Sequence, residues 1–411
     1  MDAPRPDEPV PQTLLITLIG KDRPGVTSAI FDVLARYAVE VVDIEQIVLR
    51  GRLILGVLIT VPREWKRLRS AVEAIADRLD MSVEVDRGAG DNRARKHGRS
   101  HVTVIGTPLK ASAFRAVAGR IADSGANIDR IERMARYPVT AIDLHVSGAD
   151  PDLLRSLLAA EAARQGIDIA VQPANLLRRG LRLIVMDVDS TLIQGEVIEM
   201  LAAYAGCQPE VARLTQAAMH GELDFEEALL ERVALLKGLD AEVLDRVYAD
   251  IELAPGARTL VRTLRRLGYR FALVSGGFSQ ITDRLARDLG IHYSRANELE
   301  IVDGRLTGRI VGAVVDRAGK AAALRQFAAE VGVTEEAVIA IGDGANDLDM
   351  LNAAGLGIAY NAKPAVRDAA DTAVNVPYLD AIIYLLGISR EEVEAADAAA
   401  GIQTPRPAIS R

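Results

Sequence analysis

Cysteine, tryptophan, histidine and aromatic side chains in general are scarce in this chain. Its 411 residues include one cysteine, Cys207, so no intrachain disulfide can form and no cysteine-based zinc pattern exists. Cys207 sits in Tyr204-Ala-Gly-Cys207, which reads as packing at a helix end. Aromatic residues make up 4% of the chain, which leaves packing to Ala, Leu and Val and suits helices and parallel strands. The five histidines, His97, His101, His145, His220 and His292, are scattered without ligand spacing and read as surface or structural. No apolar run reaches the roughly 18 residues that a membrane-spanning helix needs. The first dozen residues are rich in proline and charge and lack the apolar core of a signal peptide, so they read as a disordered tail on a cytoplasmic protein. A net charge of −8 argues against nucleic acid as a partner.

What is present is enough apolar material for full-sized cores: 49% of residues, with a mean hydropathy of +0.13. The length suggests about two to four domains. The stretch Leu181 to Thr191 organises the rest. Leu181, Leu183, Ile184, Val185 and Met186 read as a strand buried on both faces of a parallel sheet. It stops in Asp187-Val-Asp189-Ser-Thr191. Paired carboxylates at the carboxyl end of such a strand sit where open α/β sheets place their chemistry. They repel each other unless a cation or a shared proton intervenes, and magnesium, which prefers oxygen ligands, is the simplest cation. A strand followed by an Asx-type turn would give the same short pattern.

Before this stretch, one order of elements occurs twice. Thr13–Ile19 reads as a strand, Val26–Ala38 as a helix, Val41–Leu49 and Leu53–Val61 as a hairpin, Trp65–Leu79 as a helix and Met81–Val85 as a strand. The same βαββαβ order recurs from His101 to Val171. Ile19-Gly20 aligns with Ile105-Gly106 at an offset of 86, and Ile44-Glu-Gln-Ile47 with Ile131-Glu-Arg-Met134 at 87, which indicates a duplicated module. The basic, glycine-rich stretch between the copies lacks interleaved aromatics and reads as a solvated linker.

After Thr191, the sequence offers four further sites of chemistry. Gly195–Ala205 reads as a helix, and another starts with Asp224 at its cap and runs to about Lys237. Arg232 falls in the middle of the apolar stripe of that second helix, among Phe225, Ala228, Leu229, Leu235 and Leu236. It must either meet an anion there or reach out to solvent. Arg270–Val274 reads as a buried strand ending in Ser275-Gly276-Gly277, a hydroxyl and close-approach glycines before a helix, which suits an anion. Lys320 opens an Ala-rich helix, where it opposes the helix dipole and is explained by a local anion or by simple surface exposure. Val338–Ile341 is a third buried strand, ending in Gly342-Asp343-Gly344-Ala345-Asn346-Asp347, a second acidic pair at a strand end.

Two resemblances follow from these motifs. Both N-terminal modules resemble ACT domains, regulatory modules that bind amino acids between copies. The first carries the family-like turn Gly20-Lys-Asp22-Arg23-Pro-Gly25, which implies Gly20, Asp22, Arg23 and Gly25 as an amino-acid site. The second has Gly106-Thr-Pro-Leu-Lys110 there and departs from the pattern, which fits contact-making rather than binding. Asp187-x-Asp189-x-Thr191, Ser275, Lys320 and Gly342-Asp343-Gly344-x-Asn346-Asp347 resemble the four motifs of the haloacid dehalogenase superfamily of phosphohydrolases. That resemblance implies an α/β, Rossmann-like parallel sheet with a small helical cap, preceded by two ferredoxin-like ACT domains. It implies Asp187 as nucleophile forming an aspartyl-phosphate, and Asp189 as general acid and then base. Ser275, Gly276 and Lys320 would hold the phosphoryl group. Asp187, Asp343 and the Asp189 backbone carbonyl would ligate Mg2+, with Asp347 orienting those ligands.

Gly195-Glu196-Val-Ile-Glu-Met200 and Val274-Ser-Gly-Gly-Phe278 narrow the likeness to the phosphoserine phosphatase family. This implies O-phospho-L-serine as substrate, with Arg232 on its carboxylate, Glu196 on its ammonium, and Asn346, Met219 and Phe225 in contact with it. L-serine or another amino acid at the ACT domains and a homodimer are the implied regulatory features. The expected extents are a tail at 1–12, ACT domains at 13–87 and 101–178 around a linker at 88–100, a catalytic domain at 179–395 with its cap at about 195–265, and a tail at 396–411. Three rivals stand beside this reading. One is a phosphatase or phosphotransferase for another small phosphomonoester. Another is a non-catalytic amino-acid sensor, disfavoured by the complete acidic motif set. The last is a P-type pump, excluded by the lack of membrane spans.

Overall fold

The structure is a computed structural model describing residues 12–90, 97–175, 177–180, 182–219 and 224–405, without the side chains of residues 177, 179, 218, 219 and 225. It divides into two compact units, residues 1–94 and 95–411. Residues 1–11 of the tail expected at 1–12, residues 91–96 of the linker expected at 88–100, and His220 lie outside the described residues.

The first unit is a four-stranded antiparallel sheet of β1 (Gln12–Lys21), β2 (Val41–Leu49), β3 (Arg52–Thr60) and β4 (Met81–Ala89), in the order β2-β3-β1-β4. Strict alternation builds it. Leu14, Ile16, Leu18, Leu53, Leu55, Val57 and Ile59 are fully buried beneath helices Val26–Leu34 and Trp65–Arg78, which contribute Ile30, Val33, Leu68 and Val72. The opposite face keeps Leu15 exposed, and β2 exposes Val41, Ile44, Ile47 and Leu49. β4 runs four residues past the expected Val85, into the predicted linker.

The second unit repeats the arrangement with β5 (Ser100–Gly106), β6 (Asn127–Ala135), β7 (Thr140–Ser147) and β8 (Asp168–Pro173), in the order β6-β7-β5-β8. Val102, Val104, Leu144 and Val146 face helices Ala111–Asp123 and Pro151–Gln165. Here the other face is covered. Ile105, Met134, Ala141 and Ala170 join the main core of the body formed by the rest of the chain. Gln172 donates to the Leu385 carbonyl at 2.8 Å, and both the amide and the side chain of Asn375 bond to Asp168, at 2.8 and 2.7 Å.

The body is a seven-stranded sheet of β9 (Leu183–Met186), β10 (Arg270–Phe278), β11 (Tyr293–Val302), β12 (Arg305–Val311), β13 (Val338–Gly342), β14 (Leu356–Tyr360) and β15 (Thr372–Val374). Its order is β12-β11-β10-β9-β13-β14-β15, parallel except for the β11–β12 hairpin. Central strands are apolar on both sides: Leu183 and Val185 enter one core layer, Ile184 and Met186 the other. Strand order reverses at β9, so the crevice at the switch point opens over the end of the predicted organising strand.

Helices Val197–Ala205, Gln208–Met219, Phe225–Ala234 and Val243–Asp250 are inserted after β9. The chain leaves and re-enters the body side by side. Ile193 bridges Leu253, Gln194 N–H donates to Glu252 O, and Ala254 N–H donates to Leu192 O, the last two at 2.8 Å. The helix expected to reach Lys237 ends at Ala234, and Asp224 caps it by accepting from the Glu226 amide. The C-terminal segment also differs from expectation. Helix Arg390–Ala399 crosses the predicted start of the tail, and Asp397 is fully buried, bonded to Arg262, Arg266 and Thr404.

Candidate active site

The site is built at the carboxyl ends of β9, β10 and β13. Asp187 follows β9 directly, and its amide donates to the Ile341 carbonyl at 2.9 Å, which fixes it beside β13. The chain then turns sharply through Ser190 (φ +58°), and the carbonyl of Val188 accepts from Leu192 and Ile193 at 2.9 and 3.0 Å. This turn brings Asp189 back over the sheet. One Asp189 oxygen accepts from the Val197 amide at 2.8 Å and the other from the Ser275 hydroxyl at 3.1 Å. The Gly277 amide donates to Ser275 Oγ at 2.7 Å, and a Cβ at Gly277 would lie 2.6 Å from Asp189 Oδ2. The glycine is therefore demanded by close approach of this carboxylate.

Lys320 is completely buried and lies between two carboxylates, 2.8 Å from Asp187 Oδ1 and 2.7 Å from Asp347 Oδ1. Asp316 caps its helix, accepting from the Gly319 amide at 2.7 Å, so the lysine projects from the first turn. The other oxygen of Asp347 accepts from the Gly344 amide at 3.0 Å, and a Cβ at Gly342 would meet the Asp347 carboxyl carbon at 2.4 Å. Asp343 accepts from the Thr191 hydroxyl at 3.1 Å. Asn346 is half-buried in the 3₁₀ turn Ala345–Asp347.

Asp187, Asp343 and Asp347 offer oxygens within 4.8 Å of one another. Against these three carboxylates stands one ammonium, Lys320, so the cluster carries a formal excess of two negative charges. The titration of the groups reflects this. Burial, then Asp347, lifts the Asp187 carboxyl well above its usual range. Burial, then Asp347, pushes Asp343 up to about 6. Burial acts to lower Lys320, but Asp187 and Asp347 prevail and raise it. An all-oxygen donor set with two surplus charges fits a hard divalent cation.

The inserted helices supply a second charged pair. Glu196 stands at the start of helix Val197–Ala205, and burial, with repulsion from Asp189 and Glu199, pushes its carboxyl up to about 7. Arg232 is 8% exposed, held by the Ala228 carbonyl at 3.1 Å and the Thr215 hydroxyl at 3.2 Å. Burial pulls its guanidinium down, while Glu196 and Asp189 act to raise it. Among the described residues no carboxylate lies within ion-pair distance of Arg232, so the buried cation faces the crevice rather than a fixed partner. The side chains of Met219 and Phe225 lie outside the described residues.

Sequence reasoning missed three supports of this site. Thr191 was quoted without its role of holding Asp343. Thr215 lies on helix Gln208–Met219, which had not been read. Asn297, 1% exposed, donates to the Gly276 carbonyl and accepts from the Val315 amide, both at 2.8 Å, tying the Ser275 loop to the approach to Lys320. An isolated buried asparagine leaves no local pattern that would reveal it. In the first unit, the turn of Gly20, Asp22, Arg23 and Gly25 follows β1. The Asp22 amide donates to the Gly51 carbonyl at 2.8 Å, Arg23 donates to the Leu79 carbonyl, and Gly25 (φ +92°) begins a helix. That turn is remote in sequence from every other candidate residue and is tied to the rest of its module through Gly51 and Leu79.

Residues 184–352 match the haloacid dehalogenase-like hydrolase family, and residues 12–86 and 99–172 match ACT domains. Fold and site thus define a haloacid dehalogenase-like hydrolase carrying two ACT domains. The chain is 62% identical over 387 residues to a phosphoserine phosphatase of Streptomyces coelicolor, covering 94% of each chain. It is 52% identical over 396 residues to one of Mycobacterium tuberculosis, covering 95% of this chain and 97% of the relative. The chain belongs to the phosphoserine phosphatase family. Among solved structures, a haloacid dehalogenase-family hydrolase of Salmonella enterica serovar Typhi superposes with a TM-score of 0.62 at 28% identity, covering 70% of this chain and 98% of its own. An unliganded probable phosphoserine phosphatase of Vibrio cholerae superposes with a TM-score of 0.56 at 34% identity, covering 73% and 88%.

Proposed function

We propose that this chain is a magnesium-dependent phosphatase that hydrolyses O-phospho-L-serine to L-serine and phosphate. An Asp187 carboxylate oxygen attacks phosphorus and forms the aspartyl-phosphate as the bond to the seryl oxygen breaks. Asp189 gives its proton to that leaving oxygen, and then, as carboxylate, takes one from the water that hydrolyses the phosphoenzyme. Burial raises the Asp189 carboxyl, which supports its holding a proton at the start. Ser275, the Gly276 loop and Lys320 cradle the phosphoryl oxygens. Mg2+, held by Asp187, Asp343 and the Asp189 carbonyl and steadied by Asp347, would neutralise charge on the phosphoryl group. Asn346, Met219 and Phe225 complete the substrate contacts.

One observation carries the choice of substrate. A buried arginine without a carboxylate partner among the described residues and a half-buried glutamate both stand within electrostatic reach of Asp189. Opposite charges so placed match the carboxylate and ammonium of an amino-acid phosphomonoester. The test is phosphate release from phosphoserine beside a panel of phosphomonoesters, with magnesium and with excess chelator. Arg232→Ala is expected to lower kcat/KM for phosphoserine by about a hundredfold or more, while a phosphomonoester lacking the carboxylate changes far less. Intact phosphoserine turnover in that variant would shift the assignment to another small phosphomonoester. Glu196 must be ionised to pair with ammonium, so kcat/KM should rise as pH climbs through about 7, and Glu196→Gln should remove that limb.

The ACT domains, taken as 13–87 and 101–178 beside a catalytic domain at 179–395, belong to the same proposal as an amino-acid-sensing pair. L-serine at Gly20, Asp22, Arg23 and Gly25 is the first effector to test, in a cytoplasmic homodimer. Among the described residues no helix is long and apolar enough to cross a membrane. A serine titration that moves neither activity nor sedimentation would remove the regulatory part and leave the catalytic part standing.

A further inference from the structure

The histidines that looked scattered in the sequence are not scattered in the fold. β5 and β7 run antiparallel with His101 opposite His145 and Thr103 opposite Asp143. β6 places Glu132 opposite Asp143. All five residues therefore share one face of the second module's sheet. His101 Nδ1 lies 2.8 Å from Asp143 Oδ2, His145 Nε2 lies 3.7 Å from the same oxygen, and Glu132 Oε2 lies 3.8 Å from His145 Nε2. The two imidazoles meet edge to face, with centroids 4.5 Å apart.

We propose that His101, Asp143 and His145, with Glu132 alongside, form a binding site for a divalent transition-metal ion of the zinc class. The donor set is two imidazole nitrogens and carboxylate oxygen, which suits zinc and its neighbours and is poor for magnesium. Ligands about 2.0–2.2 Å from one ion stand roughly 3–3.5 Å apart. One ring nitrogen of each histidine and a carboxylate oxygen of Asp143 already lie within 4.8 Å of one another, so small side-chain rotations close the shell. The Thr103 hydroxyl, 3.0 Å from Asp143 Oδ1, orients the carboxylate so that Oδ2 faces the histidines. Asp143 is buried, yet the side chains of His101 and His145 are 18% and 31% exposed, so an ion has a way in.

Two cations compete there. Arg178 stands 3.4 Å from Asp143 Oδ2, and Arg130 lies 2.7 Å from Glu132 Oε1. Arg178 keeps the Leu385 carbonyl, at 3.0 and 3.1 Å, if it yields Asp143. The duplicated module supplies an internal control. In β1 and β3 the corresponding cross-strand pairs are Leu15 opposite Leu58 and Thr17 opposite Gly56. The fold is thus built without histidine or aspartate at these positions, so the cluster answers a need other than folding the sheet.

The test uses the full chain, stripped with chelator, then equilibrated with limiting zinc in a large excess of magnesium, which keeps the oxygen cluster of the phosphoryl site filled. Bound zinc is counted after dialysis, and cobalt substitution gives a visible band diagnostic of nitrogen ligation. Wild type and Asp343→Asn should each retain about one zinc per chain. His101→Asn and, independently, His145→Leu, which installs the first module's residue, should lose it while keeping native circular dichroism. No zinc on the wild type, or equal zinc in wild type and both histidine variants, would overturn the proposal, as would loss of zinc in Asp343→Asn alone. Zinc counts do not depend on turnover, so this result stands apart from the assignment of the phosphatase reaction.

Discussion

The two N-terminal modules share a strand order and a helix-facing core, and they differ in what their outer faces carry. In the first, that face presents Leu15, Thr17, Gly56 and Leu58, and the edge strand β2 is exposed along its length. In the second, the matching positions are His101, Thr103, Asp143 and His145, and the face is packed against the catalytic body. The contrast extends inward. Thr13 is the sole polar side chain among the buried residues described in the first unit, while the second unit buries Asp143, Glu161, Asp168, Asp187, Lys320, Arg232, Asp347, Asp380, Arg390 and Asp397. One set of alternating apolar residues thus specifies the sheet twice, and the positions between them are left open to a second use.

That difference can be broken residue by residue. The largest effect should come from Asp143→Ala, which removes the carboxylate shared by Arg178 and both histidines. Breaking such a buried pair costs about 3–5 kcal/mol, seen as an earlier urea transition of the second unit. Acid should also act selectively on the second unit. Burial works to raise the Asp397 carboxyl, but bonds from Arg262, Thr404 and Arg266 hold it down at about 2, below its ordinary 3.8. The stability from these bonds is therefore complete above about pH 4 and lost as pH falls towards 2. It is worth about 2–3 kcal/mol, and Asp397→Asn should remove that dependence in acid unfolding curves. Thr103→Val should cost the second unit about 1 kcal/mol by removing one support of Asp143. Gly56→Ala should change the first unit by less than about 1 kcal/mol in thermal unfolding, because a Cβ there meets only the Glu45 carbonyl at 3.9 Å. Equal responses at Gly56 and Asp143 would end the distinction.

Much of this was legible in the sequence, for reasons that differ by region. β9, β10 and β13 announce themselves because both faces are buried, so their residues form unbroken apolar runs that stop at the chemistry. The acidic pairs could be read because each lies within a few residues of one strand end. Arg232 could be read because a charge in an apolar helical stripe is locally anomalous. The histidine cluster could not, since His101 and His145 are 44 residues apart and meet only through cross-strand register. Asn297 was hidden for the same reason. Helix Arg390–Ala399 did carry a local signal, the Ser389/Glu392 capping box, which went unread beside an Ala- and Glu-rich run that looked like a tail.

The pairing of Ile193 with Leu253 has a further meaning. Because the inserted helices depart and return at one point, the insertion is a cassette on a short stem. Its length can vary without moving β9, and the entropy of closing a longer loop grows only slowly. Asp187, Asp189, Lys320 and Asp343 all belong to the body, whereas Glu196 and Arg232 ride on the cassette. On the proposed assignment of those residues, a lineage, or a designer, would exchange the choice of phosphate ester by swapping one contiguous piece while the body beneath stays as it is.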